Sequence, residues 1–271
     1  MKVPYVVNGL YPNGIGNIVK SLISGLAIDS ETTIKCDPSY SLGLYDSVFD
    51  SKHIYKGGPF LPWGTYRFLI LKDEENDQVH TESSFSNIDV VGRSDVFSTK
   101  VAIEENYDRN RLSEKVYNRI SNTIRSLIFL PCIHSWVHEY TSCFNPDTTL
   151  GISVRTWTAP HERNTIMDSQ RRYSFNIYAE AIREELKPDI THVVLSLDNI
   201  NYADEYLKFI SLYPVSVILL KHKPDQNDTQ YSFVKMLVLS KCKTVIANKV
   251  STFTDLVFWF GECKSKIRTV S

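Results

Sequence analysis

No two aspartates in this chain stand one residue apart. A site that carries a diphosphate on a metal-bound Asp-x-Asp pair is therefore excluded. No C-x-x-C pair occurs either. The five cysteines (Cys36, Cys132, Cys143, Cys242 and Cys263) are scattered and odd in number, which argues against a zinc ribbon or a disulfide framework. Reduced thiols in a cytosolic setting fit that usage. His134 and His138 stand at helical spacing with no third histidine near them, so the pair reads as structural and no metal site is expected. A Walker loop, an HExxH helix and a Gly-x-Ser-x-Gly elbow are all missing. No apolar run approaches the roughly 20 residues that span a bilayer. The opening MKVPYVVNGLYP is interrupted too soon for a signal peptide. The expectation is a cytoplasmic protein without a transmembrane segment. A formal net charge of -1 argues against a nucleic-acid binder, which normally shows a strongly basic face, so nucleic acid is not an expected partner.

What is present is material for a large core. Of 271 residues, 42% are hydrophobic and 12% aromatic, at a length where chains begin to divide into two domains. Val3 to Asn8 reads as a buried strand running into a Gly-rich turn, and Gly16 to Ile28 follows with helical spacing at Ile18, Leu22 and Leu26. Residues 29 to 100 give only short alternating runs such as Phe68 to Leu71, broken by GGPFLPWG and DEENDQ, and predict loops and short strands. Leu112, Val116, Ile120, Ile124 and Leu127 mark one face of a long amphipathic helix, with Lys115, Arg119 and Arg125 on the other.

Around Asn145-Pro146-Asp147 the pattern becomes regular. A strand (Ile152 to Trp157) precedes a helix (about Ser174 to Leu186), a stop at Pro188 and a second strand (Thr191 to Leu197). A helix (about Ala203 to Leu212), a strand (Val215 to Leu220), a helix, a strand (Thr244 to Ala247) and a last helix follow. Nearly continuous apolar strands alternating with helices predict a parallel sheet covered on both faces. The simplest architecture is two α/β domains, 1–147 and 148–271, with a cleft between them.

Chemistry-bearing residues fall at the ends of these strands. Between Lys235 and Phe260, a strand feeds a loop from which Ser251, Thr252 and Phe253 open a helix. The first N–H groups of a helix lack internal partners and the helix dipole adds positive potential there, which makes an anion site. Taken alone, Ser251 reads first as a plain N-cap. Arg155 ends the apolar run Gly151 to Trp157; burial of a guanidinium requires an anion, either a ligand phosphate or an internal carboxylate. His161, Glu162 and Arg163 extend that site or form a solvated turn. Asp198 follows the strand HVVLSL, as a ligand acceptor or as a turn residue. Asn13-Gly14-Ile15-Gly16-Asn17 is a ligand loop or a tight turn. It is not a dinucleotide fingerprint, because Val19 stands at the third glycine position. That substitution also counts against an oxidoreductase.

In this order, the segments resemble the fucosyltransferase superfamily of GT-B glycosyltransferases, which includes α-1,2- and α-1,6-fucosyltransferases and protein O-fucosyltransferases. Gly14-Ile15-Gly16-Asn17 is similar to their Gly-x-Gly-Asn opening, Gly151 to Trp157 to their strand ending in His-x-Arg-Arg, and Leu195-Ser196-Leu197-Asp198 to a strand ending in Ser-Asp or Thr-Asp. Most specific is Leu239-Ser240-Lys241-Cys242, then Ile246-Ala247-Asn248, then Ser251-Thr252-Phe253. The resemblance implies two Rossmann-like domains facing a cleft, with acceptor on the first and nucleotide-sugar donor on the second. It implies a metal-independent inverting transferase that uses a nucleotide-sugar donor, usually GDP-fucose, a glycan acceptor and no cofactor. A non-catalytic nucleotide-sugar binding protein of the same fold is the alternative. Arg155 would bind the donor phosphates and act in catalysis, and Asp198 would contact the nucleoside. Ser251, Thr252 and Phe253 would hold the diphosphate, with Gly14, Gly16 and Asn17 on the side of the transferred sugar. The sequence departs from the pattern at Ser153, Thr156 and Thr158, where the family often has histidine, a second arginine and an acidic residue. His161 and Arg163 are the candidate compensating cations. Asp37, Glu104 and Glu105 are candidate bases on chemistry alone. The expected setting is a bacterial or virus-infected host cytosol.

Overall fold

A computed structural model of the chain describes residues 6–8, 14–28, 30–57, 67–71, 77–81, 107–111, 114–156, 173–249 and 251–270. The chain divides into two compact units. One comprises Met1–Val101, Arg109–His134 and Pro224–Phe233; the other comprises Ala102–Asp108, Ser135–Lys223 and Val234–Ser271.

In the first unit, β1 (Val6–Asn8) leads to α1 (Ile15–Ile28) and β2 (Thr33–Lys35), and the two strands pair in parallel. The helix buries Ile15, Ile18, Val19, Leu22 and Ile23, one continuous stripe at helical spacing. The expected short strands beyond it are β2, β3 (Arg67–Leu71) and β4 (Asp77–Thr81), the last two antiparallel. The amphipathic helix is α2 (Glu114–Arg125). Its Arg119, on the face opposite the apolar stripe, donates from Nε to the Ala27 carbonyl at 2.9 Å. That contact satisfies an orphan carbonyl at the end of α1. A second core is aromatic: Phe49 stacks on Phe129, and Phe233 meets both edge-on.

After α3 (Pro131–Thr141), the second unit contains β5 (Thr149–Val154), α4 (Phe175–Glu185), β6 (His192–Leu197), α5 (Ala203–Ile210) and β7 (Ser216–Leu219). Then come α6 (Asp228–Leu239), β8 (Thr244–Asn248), α7 (Thr252–Phe260) and β9 (Lys266–Val270). The division between units falls within α3 and α6. All pairings in the five-stranded sheet are parallel, in the order β7-β6-β5-β8-β9. Thr244 to Asn248 is buried at every position, as a central parallel strand requires. The outermost strand, β9, was not expected. It alternates exposed Lys266 and Arg268 with buried Ile267 and Val270, the pattern of an edge strand with one covered face.

Gly151 explains part of the most specific motif. A Cβ there would lie 3.0 Å from Leu239 Cδ2 and 3.1 Å from Cys242 Sγ. The end of α6 and the turn after it therefore pack directly on β5. Leu239 and Cys242 are core residues fitted to that glycine.

Candidate functional site

The order of the sheet reverses between β5 and β8. The chain runs outward through β5, β6 and β7, then crosses to β8 and continues to β9. In open parallel sheets such a reversal splays the following connections apart and leaves a ligand crevice at the carboxyl ends of the two strands. Here those ends carry Arg155 and Asn248.

β5 ends at Val154 rather than Trp157, for a physical reason. The Arg155 N–H leaves the ladder and donates to Asn248 Oδ1 at 3.0 Å. The same oxygen accepts from Tyr178 Oη on α4 at 2.5 Å, and Tyr178 Oη lies 3.0 Å from the Ser153 carbonyl. Asn248 and Tyr178 are 4% and 1% exposed, so the link across the switch point is dry. Burial, more than the neighbouring Asp198 charge, raises the Tyr178 hydroxyl above its ordinary pKa, against the pull of Arg155. Tyr178 therefore stays a donor throughout the physiological range. Arg155 itself is half-buried.

Asp198, at the end of β6, faces the turn after β5. Both its carboxylate oxygens accept from the Thr156 N–H, at 3.0 and 2.9 Å, and Oδ1 also accepts from Thr156 Oγ1 at 2.7 Å. The threonine at the place of a second arginine is thus held by the carboxylate of the next strand.

After β8, Ser251 is the N-cap of α7, with its side chain accepting from the Thr254 N–H. The Asp255 N–H goes to the Ser251 carbonyl. The helix end therefore presents the N–H groups of Thr252 and Phe253, which have no intrahelical acceptor by construction. Both residues are half-buried. Beneath them, Asp255 is fully buried and accepts from Tyr107 Oη at 2.9 Å.

The second unit thus gathers Arg155, Thr156, Asp198 and the Ser251–Phe253 turn on one edge of one sheet. Gly14, Gly16 and Asn17 lie in the first unit, at the start of α1. Gly14 is exposed, with nothing within 4 Å of an added Cβ, and its carbonyl accepts from Asn17 N–H at 3.0 Å. Asp37 is a turn residue whose carboxylate accepts from the Ser39 N–H and hydroxyl. His161, Arg163, Glu104 and Glu105 lie outside the described residues. Among the described residues, no group of three or more His, Cys, Asp and Glu could hold a metal ion, and no helix is long and apolar enough to cross a membrane. Sequence reasoning gave no role to Asn248 or Tyr178. A polar residue ending a wholly apolar strand was the available signal for the first; the second had none.

No protein-family model matches the chain, and no curated protein matches it in sequence. Solved structures do match in three dimensions. POFUT1 in its apo form aligns over 100% of this chain and 99% of that chain, at 13% identity and a TM-score of 0.55. The NodZ α-1,6-fucosyltransferase soaked with GDP-fucose aligns over 96% and 93%, at 16% identity and a TM-score of 0.54. The fold is that of the GT-B fucosyltransferases. One crystal form of POFUT1 in complex with GDP-fucose aligns over only 59% of this chain and 49% of that chain, with a TM-score of 0.41.

Proposed function

We propose that the protein is a metal-independent inverting glycosyltransferase that moves fucose, or a related deoxyhexose or pentose, from a nucleoside diphosphate to a glycan acceptor in the cytosol. The observation that carries this reading is the convergence of Arg155 and the α7 N-terminus on the switch point of the second unit's sheet. Two sources of positive potential there suit a diphosphate without a bound cation. In inverting transfer an acceptor hydroxyl loses its proton to a base or to solvent, and its oxygen forms a bond to the anomeric carbon from the face opposite the diphosphate. The bond from that carbon to the diphosphate oxygen breaks, and its electron pair leaves with the phosphate. Negative charge on the leaving group therefore grows, and fixed donors aimed at it lower the barrier. Arg155 and the N–H groups of Thr252 and Phe253 are assigned to that task. The first unit, with Gly14, Gly16 and Asn17, is assigned to the acceptor and the transferred sugar.

Asp198 favours a second reading, a binding protein that retains the fold without turnover. Its carboxylate is engaged by Thr156, in the position where a second cation was expected. A panel of GDP-, UDP-, ADP- and CDP-sugars, assayed for hydrolysis and transfer with and without EDTA, separates the readings. Turnover of one donor that EDTA leaves unchanged is the expected result. Tight nucleotide binding with no turnover supports the binding protein, and activity that EDTA abolishes and manganese restores rules out the metal-independent mechanism.

A further inference from the structure

The polar link across the switch point is a built feature without an assigned role. Asn248 Oδ1 receives two donors, the Arg155 N–H and the Tyr178 hydroxyl. Tyr178 comes from α4, the crossover helix between β5 and β6. One amide oxygen thus joins the end of β5, the end of β8 and the helix that leaves β5. An acceptor shared by two donors has little freedom: rotating the Asn248 amide about its last torsion would put its NH2 group against the Arg155 N–H, which can only donate. The nitrogen and oxygen positions are therefore fixed by the donors around them. β5 stops pairing at Val154, whose register partner is Leu197, and the Arg155 N–H just beyond it is held by the Asn248 side chain.

We infer that Tyr178 and Asn248 are positioning residues for Arg155, fixing the backbone from which its guanidinium reaches the diphosphate. The inference rests on the donor-binding reading of Arg155. It adds that the aim of the guanidinium is set by the hydroxyl on α4 and the amide on β8, neither of which touches the ligand. A misplacement of about 1 Å at a charged contact is enough to lose most of its differential effect on a transition state. Tyr178→Phe removes only the hydroxyl from a buried ring and keeps its volume, so the variant isolates the link.

The test is a double-mutant cycle with Tyr178→Phe and Arg155→Ala in the full chain. Binding of GDP, ADP, UDP and CDP is measured by calorimetry, and the tightest is used throughout, with melting temperature recorded on each protein. Tyr178→Phe alone is expected to weaken that nucleotide about 5- to 10-fold, the scale of one hydrogen bond to a well-placed group. In the Arg155→Ala background the same change is expected to cost less than about twofold, because the residue it serves is gone. Equal losses in both backgrounds would overturn the positioning role while leaving Arg155 in the site. No binding of any of the four by the unsubstituted protein would remove the donor site and the inference together. Asn248→Ala run through the same cycle provides a second route should Tyr178→Phe prove poorly folded, and additivity there overturns the inference equally.

Discussion

Asp198 holds Thr156 through both of its carboxylate oxygens. The contact closes the mouth of β5 on the side away from Asn248, so Arg155 is flanked by two anchored neighbours. Asp198→Asn is expected to weaken nucleotide binding about 5- to 10-fold, since an amide replaces a charge-assisted acceptor. Thr156→Val, which loses the hydroxyl but keeps the N–H, is expected to leave affinity within about twofold. The result that would sink the ligand role is a lowered melting temperature in Asp198→Asn with unchanged affinity.

Much of the second unit was legible because its strands declare themselves. TVIAN is buried along its length and HVVLSL at all but its first residue, and a strand covered on both faces reads as a nearly continuous apolar run. β9 was missed because KIRTV at the sheet edge carries charges on its open face, and short alternating runs are weak signals. Arg155 and Asp198 were legible as polar residues ending apolar strands. Tyr178 was not, because its partner Asn248 lies 70 residues away and nothing local distinguishes it from a core tyrosine. Leu239 and Cys242 show the opposite limit. They belong to the most specific motif, yet their work is to pack against Gly151, and only the coordinates separate packing from ligand contact.

Acid sensitivity should come in part from His53. The ring is 4% exposed and its Nε2 accepts the Ile128 N–H at 3.2 Å, a contact that needs an unprotonated nitrogen. Burial first, and then Lys52, lower its pKa from the ordinary 6.5, against a smaller opposing effect of Asp50. The unfolded chain therefore takes up the proton before the folded one. This contribution is fully present above about pH 6.5 and declines as pH falls towards and through the lowered folded value. His53→Gln retains an acceptor but cannot titrate. With seven histidines in the chain, the comparison isolates this one: the urea midpoint of the variant should fall less steeply between about pH 6.5 and 5. Identical slopes would clear His53 of the effect.

Tyr107 is expected to matter for stability and little for chemistry. Its hydroxyl donates to the fully buried Asp255 at 2.9 Å, and its ring lies 5.4 Å from that of Phe258. Tyr107→Phe keeps the ring contact and withdraws a donor from a buried carboxylate. Hydrogen bonds to charged groups contribute roughly 1.5–3 kcal/mol, so urea unfolding should show a loss of that size with an unchanged slope. A change below about 0.5 kcal/mol, the level of an ordinary surface substitution, would show that other contacts hold Asp255.

Arg155 is where the fold and the chemistry meet. It is the first residue beyond β5, held through its N–H by Asn248 at the point where the sheet reverses. The next strand on the other side of that reversal leads to Ser251 and the N–H groups of Thr252 and Phe253. A charge-assisted contact to a phosphate contributes roughly 1.5–3 kcal/mol, or about 10- to 150-fold in binding. Arg155→Ala should lower nucleotide affinity by that factor. The loss in turnover should be larger still, because charge on the leaving group grows towards the transition state. Arg155→Lys should remain impaired, since an ammonium cannot reproduce a planar two-pronged donor. A structural ion pair makes the contrary forecast: Arg155→Ala would melt earlier, while the folded fraction bound nucleotide normally. Melting temperature and affinity measured on one preparation decide between them, and unchanged affinity in a well-folded variant would take Arg155 out of the site.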